Sequence, residues 1–255
     1  MITGMAFTLI FFVPAFYSAF LLGLAYTTTP RQTVNDATIT HWYPLSSILF
    51  RATLCIALTT SLFILAWLYS DKSNGYAENF TSFIMNSLRQ WQNFSPGDLE
   101  TIQAIIYTNA LMIIAIGLVF YSTLFFIANL YTSTLLGHKL KRMARPREDW
   151  PLQFRLPLTA LVIYVTSFIA SFLDLGNEVN LVINIVNTAF TDMLLISGLA
   201  YLHAITRGIK LRIAILSLIY FLLFTLLLTP PILILILLMG LWSSIQYSRN
   251  PRGFS

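Results

Sequence analysis

One carboxylate lies deep inside an apolar segment of the chain. Asp192 is the only acidic residue between Leu181 and Ile205, a stretch that carries no Lys or Arg. A charged side chain at the centre of a membrane helix costs about 3 kcal/mol, so such residues usually face the protein interior and have a partner. Asp192 therefore predicts a polar site inside a helical bundle.

Other polar side chains accompany this carboxylate on one helix face. We define the polar stripe as five residues, which follow Asn180 at helical spacing: Asn184, Asn187, Thr188, Thr191 and Asp192. We interpret it as a candidate binding site for a small polar or cationic solute, which Asp192 would pair with and the amides would orient. The alternative is hydrogen bonding between membrane helices, which Asn and Thr commonly provide. Four residues of other spans are candidates to face it: Tyr107, Asn109, Tyr164 and Thr166.

The sequence carries no motif of a known catalytic chemistry. It contains no HExxH, GxSxG or phosphate-binding glycine loop. The single cysteine, Cys55, excludes a disulfide framework and a paired-cysteine metal site. The three histidines fall in separate segments of the chain. We therefore expect neither enzymatic activity nor a bound metal or other cofactor.

The composition is that of a membrane protein. Of 255 residues, 57% are hydrophobic and 10% are charged, against about 45–50% and about 25% in soluble domains. This balance excludes a soluble globular protein, a disordered chain and a nucleic-acid-binding domain, although the net charge is +5. The expected surroundings are a lipid bilayer.

The apolar segments predict one domain, an all-α polytopic transmembrane bundle of about seven spans. About 20 apolar residues cross a bilayer core. The predicted spans are 5–26, 52–70, 104–128, 158–175, 181–205, 213–229 and 232–247. The last two are separated by Pro230-Pro231, which we interpret as a hairpin turn.

The distribution of charge predicts the topology. Cytoplasmic loops carry an excess of Lys and Arg. With the N-terminus outside and the C-terminus in the cytoplasm, only Lys72 and Arg89 of the 15 cations fall outside, and the remaining 13 fall inside. This pattern predicts the orientation of the spans in the membrane.

Two connections have a distinct composition. Residues 77–94 place Phe80, Phe83 and Ile84 on one face, which predicts an amphipathic helix at the outer interface. The inner loop Gly137–Leu156 holds six cations. It either serves only as a topology determinant or binds anionic lipid or a partner. The candidate docking residues are Lys139, Lys141, Arg142 and Arg145.

Several short motifs resemble the YybS-like family of bacterial membrane proteins. They are Asn129-Leu130, Lys139, Arg142, Ala144-Arg145-Pro146, Arg155-Leu156-Pro157, Gly198-Leu199-Ala200, His203-Ala204, Thr206-Arg207-Gly208, Gly240-Leu241-Trp242 and Arg249, with Trp42-Tyr43-Pro44 resembling the alphaproteobacterial branch. That family has been likened to the substrate-binding S components of energy-coupling-factor transporters. The resemblance implies insertion in the inner (plasma) membrane of a bacterium. It also implies uptake of a small polar molecule, with energy supplied by a separate membrane protein and cytoplasmic ATPases.

Two functions follow as hypotheses. The first is a substrate-binding component of a small-molecule uptake system, which depends on the polar stripe. The second is a non-catalytic structural or assembly subunit of a larger membrane complex, which depends on the basic inner loop and on an aromatic content of 15%. Both predict a membrane-protein partner, and neither names a solute, a partner or an oligomeric state.

Overall fold

The computed structural model describes residues 32–34, 37–39, 44–69, 73–91, 96–141, 147–173, 175–225 and 230–249. These residues form eight helices, which are α1 Leu45–Leu68, α2 Ser73–Trp91, α3 Pro96–Lys139, α4 Trp150–Gln153, α5 Leu158–Ala170, α6 Asn177–Ile205, α7 Arg212–Thr225 and α8 Pro230–Arg249. The predicted first span, 5–26, lies outside the described residues.

A small antiparallel hairpin precedes the helices. Its strands are β1 Gln32–Val34 and β2 Ala37–Ile39, with Thr33 opposite Thr38. The prediction of an all-α chain did not include it. The hairpin falls in the segment that was predicted to join the first two spans.

Four helices are long and apolar enough to cross a membrane. They are α1, α3 from Gly97, α6, and α8 from Pro231. The fold is therefore compatible with a helical membrane bundle. The predicted span 158–175 is shorter in the structure, because α5 has 13 residues, fewer than the roughly 20 that a bilayer needs. The structure describes 14 residues of α7. The number of spans stays a prediction.

The helix α3 is much longer than a bilayer is thick. It runs without interruption through 44 residues, which is about 66 Å at 1.5 Å per residue. The predicted span 104–128 forms its middle part. The helix α2, which corresponds to the predicted interfacial helix 77–94, packs against α3.

The helix α6 lies at the centre of the bundle. It packs against α1, α3, α4, α5 and α8. Its buried apolar side chains, which include Ile185, Phe190 and Met193, join a core with Leu49 of α1 and Phe126 of α3. Between membrane helices such side chains stabilise the fold through close van der Waals packing, and α6 thereby holds the polar stripe within the packed bundle.

The closest helix contact is the crossing of α6 with α8. A Cβ atom at Gly198 would lie 2.0 Å from the carbonyl oxygen of Ile236, and one at Gly240 would lie 2.1 Å from that of Leu194. Any larger residue at either position would force the backbones apart. Small residues are the usual means by which membrane helices approach this closely.

Most cations of the described residues lie at one end of the bundle. At one end, Tyr69 after α1 donates a hydrogen bond to Glu178 at the start of α6, at 2.8 Å. At the other end, Arg207 after α6 contacts Asp149, and Ser46 of α1 lies 3.4 Å from Tyr247 of α8. We call this second end the basic end; its cations are Arg51, Lys139, Lys141, Arg147, Arg155, Arg207, Lys210, Arg212 and Arg249. Which end faces the cytoplasm stays a prediction.

The two prolines between α7 and α8 are part of a helix. Pro230 and Pro231 form the first turn of α8, where proline is favoured because its missing N–H has no partner there. The prediction had placed the turn at the prolines themselves. The connection falls on residues 226–229, outside the part of the chain that the structure describes.

Candidate functional site

Asp192 is buried in the middle of α6. Its relative exposure is 9%, and its Oδ2 atom has no hydrogen-bond partner among the described residues. A buried carboxylate normally accepts hydrogen bonds or pairs with a cation, because desolvation without compensation is costly. The geometry therefore leaves an acceptor that a ligand, an ion or another part of the chain can satisfy.

Most donors of the polar stripe are used within α6. The Asn184 amide donates to the carbonyl oxygen of Asn180 at 2.8 Å. The Thr188 hydroxyl donates to the backbone carbonyl oxygen of Asn184 at 2.8 Å. The Thr191 hydroxyl donates to the backbone carbonyl oxygen of Asn187 at 2.7 Å. Such bonds to the preceding turn are common for Thr within membrane helices. These three bonds lie within α6 and do not connect helices, whereas the contact of Thr191 with Tyr164 of α5 does.

The two buried polar atoms of the stripe that lack a described partner are both acceptors. Asn187 Oδ1 is buried and, like Asp192 Oδ2, has no partner among the described residues. A hydroxyl that donates to a carbonyl keeps its oxygen lone pairs, and an ionised carboxylate can only accept. This set of groups favours a ligand that donates hydrogen bonds or carries positive charge.

The structure divides the stripe over more than one side of α6. Each residue advances by about 100° around the helix axis, so Asp192, which follows Asn187 by five residues, lies about 140° away from it around the helix. Asn184, Asn187 and Thr191 share one side, while Thr188 lies between them and Asp192. On that first side, Tyr164 of α5 forms a side-chain hydrogen bond with Thr191.

The other candidates from neighbouring spans do not share this position. Thr166 is exposed and bonds to Val162 of its own helix. Tyr107 and Asn109 are exposed on α3. Only Tyr164 of the four candidates is buried.

The basic docking residues are only partly described. Lys139 ends α3 and Lys141 follows it, and both are exposed. Lys141 has a φ of 54°, a left-handed conformation that is typical of the residue after a helix. Arg142 and Arg145 lie outside the described residues.

A cleft of about 390 Å³ opens at the basic end, apart from the polar stripe. Tyr131, Leu135 and His138 of α3 form one wall. Segment 147–151 and Arg207 form the other. The ring of Trp150 packs edge-on against Tyr131, with 5.2 Å between centroids. The sequence analysis had described this loop only as a patch of charge.

An ion pair fixes one rim of the cleft. Both guanidinium nitrogens Nη1 and Nη2 of Arg207 contact the Asp149 carboxylate. This hydrogen bonding holds the pKa of Asp149 below its ordinary value and raises that of Arg207. The pair joins the loop before α4 to the turn after α6, residues that are 58 positions apart in the chain.

Arg155 is the largest fully buried side chain of the described residues. Its relative exposure is 1%. Its guanidinium donates to the carbonyl oxygens of Phe154 at 2.7 Å and Pro151 at 2.9 Å, and lies 5.3 Å from the ring centroid of Tyr201. Burial lowers the pKa of this guanidinium to about 10. Arg155 thus satisfies carbonyls at the end of α4, the short helix that lines the cleft.

The segment around Arg155 forms hydrogen bonds with α6 and α8 near their crossing. The Leu156 N–H donates to Ser244 Oγ at 3.2 Å, and Ser197 Oγ donates to the Phe154 carbonyl at 3.1 Å. The sequence analysis named Arg155 in one motif of the resemblance and counted it among the inside cations, without predicting its burial. Its position between the apolar residues Phe154 and Leu156 was the available signal.

Comparison with known protein families, characterised proteins and solved structures finds no match to this chain. The resemblance to the YybS-like family therefore stays a prediction. Among the residues that the structure describes, no three His, Cys, Asp or Glu side chains are grouped as metal ligands.

Proposed function

We propose that this protein is a non-catalytic inner-membrane component of a bacterial uptake system, and that its polar stripe binds a small cationic solute. The observation that carries the proposal is the buried Asp192 Oδ2 without a partner among the described residues. A carboxylate at this depth is costly. Its presence is explained if binding of a cation supplies the missing partner.

The hydrogen bonds of the stripe support a solute that donates. Thr188 and Thr191 direct their hydroxyl protons to carbonyls of α6, so neither hydroxyl donates to a ligand. With Asp192 they favour a primary ammonium group, which has three donors and no acceptor. The resemblance to substrate-binding components, stated above, agrees with such a role but is an associational argument.

The test is equilibrium binding of simple amines to the detergent-purified protein. Methylammonium and 1,4-diaminobutane are suitable probes, measured by isothermal titration calorimetry. Asp192→Asn keeps the size of the side chain and removes its charge, and we expect it to weaken binding by at least about tenfold. Glu178→Gln removes an exposed carboxylate from the same helix and should bind as the wild type does.

Equal binding of the amines by the wild type and by Asp192→Asn would contradict the proposal. Helix content and melting temperature are recorded for each variant, so that loss of folding is distinguished from loss of binding. Binding that Glu178→Gln weakens equally would also contradict it, because the effect would then follow net charge rather than the buried site.

The second candidate is a structural or assembly subunit of a membrane complex. It is supported by the exposure of Lys139 and Lys141 beyond the end of α3, where a partner with acidic groups can reach them. We expect the double variant Lys139→Glu/Lys141→Glu to release a partner that the wild type retains in mild detergent. Retention of that partner at normal stoichiometry, with topology unchanged, would contradict this role.

A further inference from the structure

The cleft at the basic end has no part in the function proposed above. Its volume of about 390 Å³ lies within the range of about 300–1,000 Å³ that is typical of small-molecule sites. Its lining combines aromatic, aliphatic and charged side chains. The chemistry that the cleft can accommodate depends on which of these groups already have partners within the protein.

Both carboxylates that line the cleft are already engaged. Asp149 forms the ion pair with Arg207. Glu148 also has an interaction partner within the chain. A cationic ligand would have to displace one of these partners, and that loss would offset what the new contact contributes. The cleft therefore differs from the polar stripe, where buried acceptors without a described partner favour a cation.

The basic groups of the lining that remain available are donors. Arg147 is exposed, and His138 belongs to the last turn of α3. Within the part of the chain that the structure describes, neither side chain forms a hydrogen bond or an ion pair with another residue. An imidazole carries at least one N–H in either protonation state, and the planar guanidinium fork matches a carboxylate. These two groups favour an anionic ligand.

The charge of the lining favours an anion with a single negative charge. Of the two arginines in the lining, Arg207 is paired with Asp149, so Arg147 alone has its charge available to a ligand. A doubly charged phosphate would be repelled by the two nearby carboxylates, those of Glu148 and Asp149, and only one of its charges would be matched. A carboxylate has one charge and is the better fit.

The apolar part of the lining contains a corner between two aromatic rings. The rings of Tyr131 and Trp150 meet at an interplanar angle of 82°. Tyr131 is 47% exposed, and Leu135, one turn further along α3, is 41% exposed. A third ring in this corner can stack on one of the two rings and place its edge against the other, and aromatic pairs favour both arrangements. The corner therefore suits an aromatic ring better than a flexible alkyl chain.

We propose that this cleft binds a small aromatic monocarboxylate. The Arg147 guanidinium pairs with the carboxylate of the ligand, and the His138 ring donates a hydrogen bond to it. The aromatic ring of the ligand packs against Tyr131, Leu135 and Trp150. This site takes an anion and shares no residue with the polar stripe, so either proposal can fail without the other.

The test is isothermal titration calorimetry of the detergent-purified full chain with three matched probes. They are 3-phenylpropionate, its uncharged amide 3-phenylpropanamide, and hexanoate, which keeps the carboxylate without the ring. We expect 3-phenylpropionate to bind with a dissociation constant of about 1 mM or lower, as is usual for a ligand of this size. The amide should bind at least about tenfold more weakly, because the charge-assisted hydrogen bonds are lost. Hexanoate should bind about threefold more weakly or worse.

The same titrations can overturn the proposal. Absence of saturable binding by 3-phenylpropionate, or equal binding of the amide, would exclude a carboxylate site. Equal or tighter binding of hexanoate would exclude an aromatic ligand in favour of an aliphatic one. Tighter binding of 2-phenylethyl phosphate than of 3-phenylpropionate would exclude the preference for a single charge.

Two charge variants locate the site. Arg147→Gln should weaken 3-phenylpropionate by at least about tenfold and leave the weak binding of the amide unchanged. Lys139→Gln, which removes an exposed cation that does not line the cleft, should bind as the wild type does, and so should Asp192→Asn of the polar stripe. An equal loss in Arg147→Gln and Lys139→Gln would overturn the assignment, because the effect would then follow net charge.

A matched pair of variants tests the ring corner. Tyr131→Phe keeps the ring and should bind 3-phenylpropionate as the wild type does. Tyr131→Leu removes the ring and should weaken that probe by about threefold or more, while hexanoate changes less. Helix content and melting temperature are recorded for each variant to identify loss of folding. Equal affinity of the two variants for 3-phenylpropionate would overturn the role of the corner.

Discussion

Gly198 and Gly240 face each other at the crossing of α6 and α8, with backbone groups where side chains would otherwise be. A Cβ atom at Gly240 would lie 2.1 Å from the Leu194 carbonyl oxygen and 3.1 Å from the Gly198 nitrogen. The contact is therefore made by backbone atoms, which have no alternative rotamer. The close approach of α8 to α6 therefore requires glycine at both positions.

We expect Gly198→Ala and Gly240→Ala each to destabilise the protein by about 1–3 kcal/mol, because overpacking forces the two backbones to separate. The measurement is the free energy of unfolding in mixed detergent and SDS micelles. Gly117→Ala on α3 is the matched control, because no atom of the described residues lies within 4 Å of its Cβ position. Similar losses in all three variants would show that the close contact is not the cause.

Ser244→Ala should cost about 1–3 kcal/mol, because the buried Leu156 N–H would lose its hydrogen-bond acceptor. Ser248→Ala is the control, since the Ser248 hydroxyl bonds only to a carbonyl of its own helix. Unfolding in SDS gives the difference. Equal stability of the two variants would mean that Leu156 finds another acceptor.

Arg155→Lys should be destabilising although it keeps the charge. A lysine ammonium lacks the planar fork that reaches the carbonyls of Phe154 and Pro151 together, and it stacks less well on Tyr201. We expect a loss of about 1–2 kcal/mol in the same unfolding assay. Arg249→Lys, at an exposed position, serves as the control, and an equal effect in both would exclude a specific role of the guanidinium.

The ion pair at the rim of the cleft predicts a pH dependence. Arg207 lowers the pKa of Asp149, so the stabilisation is complete above the ordinary pKa of about 3.9 and is lost as the pH falls through the lower folded value. The melting temperature of the wild type should exceed that of Asp149→Asn by a small margin, about 2 °C or less, because the ion pair is exposed. This margin should be constant from about pH 7 to about pH 5 and should decrease as the pH falls below the ordinary pKa of about 3.9. A margin that does not decrease there would contradict the assignment.

Asp192→Leu should leave the protein as stable as the wild type or more stable, by up to about 3 kcal/mol, because burial of an uncompensated carboxylate opposes folding. Ile185→Ala should cost about 2–5 kcal/mol in the same assay, since it creates a cavity in the core. A clear loss of stability in Asp192→Leu would favour the interpretation of Asp192 as a structural residue. The variant therefore distinguishes the two hypotheses for the stripe without knowledge of a ligand.

The positions of the helices could be predicted from hydropathy, but several of their ends could not. The predicted span 181–205 corresponds to α6, which begins one turn earlier because Gly176, with a φ of 94°, precedes it. The predicted span 158–175 extends past the end of α5 at Ala170. Phe172 and Leu173 are apolar and follow the helix in a turn, and a hydropathy count cannot detect that change of backbone conformation.

The residues of the candidate site could be predicted from the sequence. Which of their polar atoms lack a hydrogen-bond partner could not. Helical spacing placed Asn184, Asn187 and Thr191 on one side. Which of their donors bond to α6 itself depends on rotamers, and so does the identity of the acceptors that remain. The contact of Asp149 with Arg207 could not be predicted at all, because it depends on the approach of segments that are distant in the chain.

The length of α3 has a mechanical consequence. This helix contacts α2 and also forms a wall of the cleft at the basic end, and no proline follows Pro96 within its 44 residues. Sharp bends in helices occur mainly at proline or at local defects of the hydrogen-bond ladder. A displacement of α2 that tilts α3 must therefore also move the cleft wall, because both parts belong to one continuous helix. The two ends of the protein are coupled by a single backbone element.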